Sequence, residues 1–504
     1  MSVPGLSLPG LSMSASAAAA AAASSSAAAS AADMLAPASA PRVQDLAPGT
    51  EYRFEVPFNA TLTVKLLNGT AECFGTELAC NAKEPYAFRA GTKAAIYTWH
   101  GCRLQVEGDV ESEYQAEETP MVEYANVHFA LEQMRNAVGA AASAQYQQQE
   151  SGYNNGGGEK PIGPRVLVVG PENAGKTSLV RLLTAYAVKM GRQPVLVNLD
   201  PRQGMLSPPG SLATAAVASV LDVEEGWGSS PINGPSPVPV KMPLVYHYGL
   251  GSPDDNPKMY RGLVTRLALA VTSRLGEDDD VRRSGCFIDT PGALSVDKRG
   301  VYENIQHVVS EFSVNVILVL GSERLYSDLS RRFSRPGEDP VQVVKLDKSG
   351  GCVDRDESYM KALRQMQVRS YFFGQGWTTL SPHTQRVDFN SLHVFRTVDT
   401  SATNPASSFL PGGEADDDAE PSGRLYDKIK PSLMIQNGLL AITHAEPSDS
   451  YEHIRDSSVM GYVYIADVDE AKQNVKLLAP LSGQIPRSAM ILGNWPEDVA
   501  GLVG

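Results

Sequence analysis

Gly170-Pro171-Glu172-Asn173-Ala174-Gly175-Lys176-Thr177 follows the apolar run Val166-Leu167-Val168-Val169 and opens the segment Ser178 to Met190. In that segment Leu179, Leu182, Leu183, Tyr186, Ala187 and Met190 recur at the spacing of one helix face, and Gly191 is a stop. The order is strand, glycine-containing loop, helix. Backbone N–H groups of such a loop and of the helix N-terminus converge on one point, where the helix dipole favours negative charge. A polyphosphate suits that point. Lys176 would neutralise the outer phosphates, the Thr177 hydroxyl would hold Mg²⁺, and Gly170 and Gly175 would let the backbone approach the ligand. Asn173, Ala174 and Ser178 complete the stretch whose main chain would face a nucleotide. A chance match on a glycine turn is the competing reading, but strand, loop, Lys-Thr and helix all arrive in order.

Outward from this unit, strand-like runs at Arg165 to Val169, Val195 to Leu199, Gly285 to Ile288, Val314 to Leu320 and Val341 to Leu346 alternate with helical stretches such as Met259 to Leu275 and Val301 to Phe312. That alternation predicts an α/β phosphate-loop domain over residues 162–375, with a parallel sheet covered on both faces. Ser229 to Pro239, rich in Pro and Ser, reads as an exposed excursion. Upstream, short strands at Glu51 to Val56, Leu62 to Leu67, Ala71 to Phe74, Tyr86 to Phe88 and Ala94 to Trp99 predict a small β domain over 46–136, closed by a helix from Val122 to Arg135. Residues 1–45, runs of Ala and Ser with no face to bury, read as a disordered tail, and 137–161 as a linker. Strands at Gly438 to Thr443, Gly461 to Val468, Val475 to Leu478 and Ala489 to Gly493 predict a mostly β C-terminal domain over 376–504, carrying a flexible acidic insertion at 402–422.

The 504 residues accommodate about three domains at roughly 100–200 residues each. A net charge of -14 and a pI near 5.1 argue against a chain held on nucleic acid by bulk electrostatics, so any RNA contact must be local. The five cysteines are odd in number and lack paired metal-ligand spacing, which reads as reduced thiols. No apolar stretch is long enough to span a bilayer, and the start lacks a basic leader region.

Three further groups carry candidate chemistry. Asp289 ends a strand candidate, where a phosphate-loop fold presents its second acid to Mg²⁺; it could instead cap a helix before Thr290-Pro291-Gly292. Asp200 stands at the carboxyl end of Val195 to Leu199 and could accept a proton from an attacking hydroxyl, or could simply be a turn aspartate before Pro201. Lys345, Lys348, Lys361, Arg364 and Arg369 surround Gly350-Gly351, so an arginine-bearing lid over the terminal phosphate competes with a solvated basic helix face.

Taken together, Gly163-Pro164-Arg165-Val166 leading to Gly170-Pro171 and Gly175-Lys176-Thr177, Asn198-Leu199-Asp200-Pro201, and Arg283-Ser284-Gly285-Cys286 with Asp289-Thr290-Pro291 resemble the polynucleotide 5′-hydroxyl kinase family. Within it the likeness is to the ATP-binding subunits of fungal mRNA cleavage and polyadenylation factor IA. It extends to Phe74-Gly75-Thr76-Glu77-Leu78, Thr98-Trp99-His100-Gly101 and Arg369-Ser370-Tyr371-Phe372, and covers about Glu51 to Trp495. The resemblance implies ATP and Mg²⁺ as cofactors, with Glu51 and Lys93 of the first domain reaching the nucleotide. It also implies a nuclear protein of pre-mRNA 3′-end processing, held by the RNA polymerase II tail-interacting subunit of cleavage factor IA. Lys176, Thr177, Asp200, Arg364 and Arg369 match the kinase pattern, and the last three would be catalytic if the chain transferred phosphate. Active members resemble one another in an Asn-Thr-Cys-Gly-Trp segment whose Trp clasps the terminal base; here it reads Asp289-Thr290-Pro291-Gly292-Ala293, and Pro201-Arg202 replaces a Val-Gly pair. The resulting expectation is an ATP-holding scaffold subunit that contacts RNA weakly or indirectly. The alternative is an active RNA 5′-hydroxyl kinase of tRNA splicing or RNA repair. A regulatory GTPase would need a guanine-reading Asn-Lys-x-Asp segment, which Leu346-Asp347-Lys348-Ser349 does not provide.

Overall fold

In the computed structural model, residues 40–150, 160–224, 243–297, 300–333, 341–375, 378–401 and 424–502 are described. The expected tail up to residue 39, the Ser229 to Pro239 excursion and the 402–422 acidic insertion lie outside them.

The central sheet has seven strands. Five run parallel in the order Val195–Asn198, Cys286–Asp289, Arg165–Val169, Val316–Leu320, Gln342–Leu346. The four innermost are almost wholly buried and read as unbroken apolar runs, as strands covered on both faces must. Two antiparallel strands, Ser211–Ala216 and Leu244–His247, extend the Val195–Asn198 edge, so the sheet is mixed where the sequence predicted only parallel strands. Their Ala-rich and short patterns give no periodic signal. Helices Lys176–Lys189, Pro257–Glu277, Glu303–Glu311, Glu323–Phe333 and Glu357–Phe373 accompany the sheet. Asn256 starts the second of these by accepting from the Met259 N–H at 3.0 Å, with Pro257 following.

Upstream, a four-stranded and a five-stranded sheet enclose their own core of Tyr52, Phe54, Leu62, Val64, Phe88 and Ile96. The first strand, Arg42–Leu46, begins inside the stretch read as disordered; it is a polar edge strand held by backbone pairing to Cys102–Glu107 and by Arg103 on Asp45 at 2.7 Å. The connecting helix runs Met121–Glu150, well beyond Arg135 and into the expected linker. The apolar period ends near Arg135, but the alanines that follow favour a helix by intrinsic propensity. This helix joins the sandwich to the central sheet: Tyr124 donates to the Asp347 carbonyl at 2.9 Å, and the wholly buried Arg135 binds Glu132 at 2.6 Å and the Ser284 carbonyl at 2.9 Å.

Downstream, a seven-stranded mixed sheet contains all four predicted strands and adds His383–Asp388, His393–Thr397 and Tyr426–Ile429. Its aromatic face continues the central core: Tyr371 accepts from the Tyr462 N–H at 3.0 Å, and Phe372, Tyr426 and Tyr464 join the same cluster. Among the described residues no helix is long and apolar enough to cross a membrane. All five cysteines are free thiols, and no group of His, Cys, Asp and Glu with metal-holding geometry occurs among the described residues.

Candidate functional site

The phosphate loop turns where only glycine or a short polar residue turns easily. Gly175 has φ +87° and Asn173 φ +55°, both in the left-handed region. A Cβ on Gly175 would lie 2.7 Å from the Cys352 sulfur, so the neighbouring loop 347–356 approaches the phosphate loop closely. Gly170 donates its N–H to Ser295 Oγ at 2.9 Å, tying the loop to the turn after Asp289.

Lys176 is buried, with Nζ donating to its own loop's carbonyls, Gly170 at 3.0 Å and Pro171 at 2.7 Å. Burial pushes its ammonium below the ordinary lysine value, against the pull of Asp289 and Asp200. Thr177 Oγ1 donates to Asp289 Oδ2 at 2.6 Å. Asp289 therefore faces the loop and is not the cap of Gly292–Ser295, a position that falls to Pro291. Burial pushes its carboxyl up to about 6, although the Thr177 hydrogen bond and Lys176 pull it down. A hydroxyl and a carboxylate oxygen in contact, beside an ammonium resting on neutral carbonyls, form a donor set that fits a polyphosphate with a divalent cation.

Asp200 is buried, with Oδ1 accepting from the Arg202 N–H at 2.9 Å and Oδ2 from Gln203 Nε2 at 3.2 Å. This is the turn geometry of an aspartate before proline. Burial raises its carboxyl above the ordinary value, with the Arg202 hydrogen bond and Lys176 opposing.

From the sandwich, Glu51, Arg53 and Lys93 line the same cleft as Asn173, Ala174, Gly175, Lys176, Thr177 and Ser178. Glu51 is buried, accepts from Arg53 Nε at 2.7 Å and is also bonded by the Thr119 hydroxyl. Lys93 pairs with Glu55 and lies 4.8 Å from the centroid of the Tyr359 ring. Thus the structure brings Glu51 and Lys93 to the loop across the domain junction.

The lid arginines are not brought there. Arg364 is 1% exposed, bonded to Glu497 Oε2 at 2.9 Å and Glu357 Oε1 at 2.6 Å, and stacked 4.2 Å from the Trp495 ring centroid. Glu497 and Trp495 come from the C-terminal domain, so Arg364 serves a domain contact. Arg369 is exposed and lies over Phe373 at 5.1 Å. Neither lines the cleft. Sequence reasoning missed Arg355, Gln203 and Tyr359, which stand at it. Arg355 donates to Asn173 Oδ1 at 3.2 Å and to Gln203 Oε1 at 3.3 Å. Its nearness to Gly350-Gly351 was the available signal; nothing marked the other two.

Comparison with known proteins follows the same division of the chain. The N-terminal β-sandwich domain of polyadenylation factors matches residues 45–138, the phosphate-loop domain of mRNA cleavage and polyadenylation factor CLP1 matches 170–374, and the pre-mRNA cleavage complex II protein Clp1 domain matches 380–497. The chain is 55% identical to the mRNA cleavage and polyadenylation factor CLP1 of Phaeosphaeria nodorum, covering 99% of this chain and 100% of that one. It is 52% identical to its namesake in Botryotinia fuckeliana, covering 92% and 95%. A solved structure of wild-type Clp1p in complex with a Pcf11p segment superposes with a TM-score of 0.75 at 27% identity, covering 90% of this chain and 97% of that one. By sequence over its full length and by fold, the chain belongs to the CLP1 family of mRNA cleavage and polyadenylation factors.

Proposed function

We propose that this chain is an ATP-binding scaffold subunit of the nuclear pre-mRNA 3′-end cleavage and polyadenylation machinery, docked on a Pcf11-type partner. A relative's complex with Pcf11p supports the partner, and a second solved Clp1p structure, which concerns ATP loss in a point mutant, supports the nucleotide. The observation that carries the reading is the cleft shared by the sandwich and the phosphate loop, lined by Glu51 and Lys93 on one side and Lys176 and Thr177 on the other. A ligand filling it stabilises the closed arrangement of two domains by roughly RT ln(1 + [L]/Kd).

In this reading Lys176 would bind phosphate oxygens in place of its two loop carbonyls, and the side-chain oxygens of Thr177 and Asp289 would hold Mg²⁺. The cation would neutralise phosphate charge. Glu51 and Lys93 hold the nucleotide from the sandwich side. Phosphoryl transfer depends on positioned charge at the terminal phosphate. Arg364, bound to Glu497 and Glu357 and covered by Trp495, does not supply that charge. Asp200 is the residue that would take a proton from a 5′-hydroxyl; its two side-chain hydrogen bonds instead fix the turn.

The test uses the purified chain. Its nucleotide, released by denaturation, is measured by chromatography; γ-labelled ATP is incubated with a 5′-hydroxyl RNA; and binding to a Pcf11-type partner is assayed with Lys176→Ala alongside. Retained ATP, lost in Lys176→Ala, with partner binding and no label transfer, is the expected result. Label transfer at roughly 1–100 per second, abolished by Lys176→Ala, would make the RNA kinase the right reading.

A further inference from the structure

The irregular segment 217–224, which follows strand Ser211–Ala216, joins two hydrophobic cores. Val217 and Leu221 are buried in the central core, while Val223, two residues further on and 4% exposed, is buried in the core of the sandwich. Among the described residues Val223 is the one buried member of that sandwich core that comes from outside residues 46–106. Glu224 extends the contact, its Oε1 accepting from the Ala87 N–H at 3.0 Å. Asp222 turns the chain there, its Oδ1 accepting from the Glu224 N–H at 2.9 Å.

The strap is held from the nucleotide side as well. Arg181, on the helix Lys176–Lys189 that the phosphate loop opens, is buried and lines the cleft. Its Nη2 donates to the Asp222 carbonyl at 2.7 Å and reaches the Val223 carbonyl at 3.5 Å, and its guanidinium lies 5.1 Å from the centroid of the Phe74 ring. One cation therefore ties the phosphate-loop helix, the strap and the sandwich together. The helix also meets the sandwich directly: Tyr186 bonds Glu72, and a Cβ on Gly75 would lie 2.9 Å from the Leu182 carbonyl. A sandwich moving off the phosphate loop would have to withdraw Val223 from its core and break the Arg181 contacts, and withdrawing a buried valine costs its burial.

We infer that strap 217–224 locks the sandwich over the phosphate loop and sets the rate at which bound nucleotide leaves. The inference rests on the ATP-holding reading and adds to it a control on release that lies away from the phosphates. Displacement of N-methylanthraniloyl-ATP by excess ATP, followed by stopped-flow fluorescence, tests it in wild type, Val223→Ala, Glu224→Ala and Val106→Ala. Val106→Ala removes the same two methyl groups from the same core, on a strand two away from the one that holds Ala87. Val223→Ala should speed release by about 10–100-fold, the equivalent of lost valine burial with the cavity it leaves. Glu224 does not line the cleft, so Glu224→Ala reads the strap's hold apart from any contact of Val223 with the ligand. It should speed release by about 3–10-fold, and Val106→Ala should stay within about twofold of wild type. A wild-type rate in folded Val223→Ala or Glu224→Ala overturns the inference, and so does a Val106→Ala rate as fast as that of Val223→Ala, the mark of a generally loosened sandwich. Should Val223→Ala not fold, Glu224→Ala against Val106→Ala decides. If wild type itself holds no nucleotide, the ATP-holding reading fails first and this inference falls with it.

Discussion

Asp289→Asn separates the cost of holding a bare carboxyl at the end of strand Cys286–Asp289 from the use made of it. Burial pushes this carboxyl up to about 6 from an ordinary aspartate value of 3.8. At about 1.4 kcal/mol per pH decade the gap corresponds to about 3 kcal/mol. Below pH 3.8 the group is protonated in both the folded and unfolded chain and costs nothing. Between 3.8 and about 6 the unfolded chain loses the proton while the folded one keeps it, so stability falls as pH rises; above about 6 the whole cost is present. Asparagine does not titrate and retains an oxygen for the Thr177 hydroxyl. Nucleotide-free Asp289→Asn should therefore melt above wild type at about pH 7.5, with the advantage shrinking toward zero near about pH 4. A domain of 150–250 residues shifts by about 2–4 °C per kcal/mol, so the ceiling is roughly 6–12 °C. Mg²⁺-ATP should then raise the melting temperature of wild type more than that of the variant, because the ionised carboxylate that burdens the empty site suits a cation. Scanning calorimetry at the two pH values, with and without ligand, reads both effects. A variant that melts at or below wild type at the higher pH, or a difference that ignores pH, would refute the reasoning.

Gly175→Ala should weaken nucleotide binding and lower stability, since φ +87° costs an alanine about 1–2 kcal/mol and its Cβ would press on Cys352; adding Cys352→Ala should recover the steric part alone, as denaturant titration would show. Glu497→Ala should leave Arg364 with Glu357 as its one carboxylate and raise amide exchange in helix Glu357–Phe373 by the equivalent of about 1–2 kcal/mol, a figure reduced because Glu497 is partly exposed. Exchange unchanged from wild type would show that the C-terminal contact does not hold the helix.

The parallel core was legible because burial on both faces forces long apolar runs, and all five predicted parallel strands exist within a residue or two of their expected ends. What escaped is what periodicity does not encode. Strand Arg42–Leu46 is polar and held by backbone pairing; Ser211–Ala216 is small and featureless; helix Met121–Glu150 continues on alanine propensity after its apolar stripe has stopped. Each is specified by a neighbour or by intrinsic preference, neither of which shows in an alternation of apolar and polar residues.

At the site, residues placed by the ends of recognisable strands could be read, and those placed by side-chain pairing across domains could not. Thr177 follows the strand Arg165–Val169 and Asp289 ends the parallel strand paired beside it, so their contact at 2.6 Å follows from two strands the sequence marks. Arg355 and Arg364, nine positions apart, present the same side chain to any sequence argument. What separates them is that Arg364 meets Glu497, 133 residues away, while Arg355 meets only amide oxygens. The same long-range contact bears on the missing aromatic. Trp495 is near the lid helix, but Arg364 lies 4.2 Å and Arg202 5.5 Å from its ring centroid, so cations already occupy the ring that a terminal base would need. A base stacked on an aromatic is worth about 1–3 kcal/mol, and displacing the buried Arg364 to gain it would break its ion pairs with Glu497 and Glu357. The ring of Trp495, covered by these two cations, is therefore not free to take the place of the aromatic absent at Ala293, which accords with the scaffold reading proposed above.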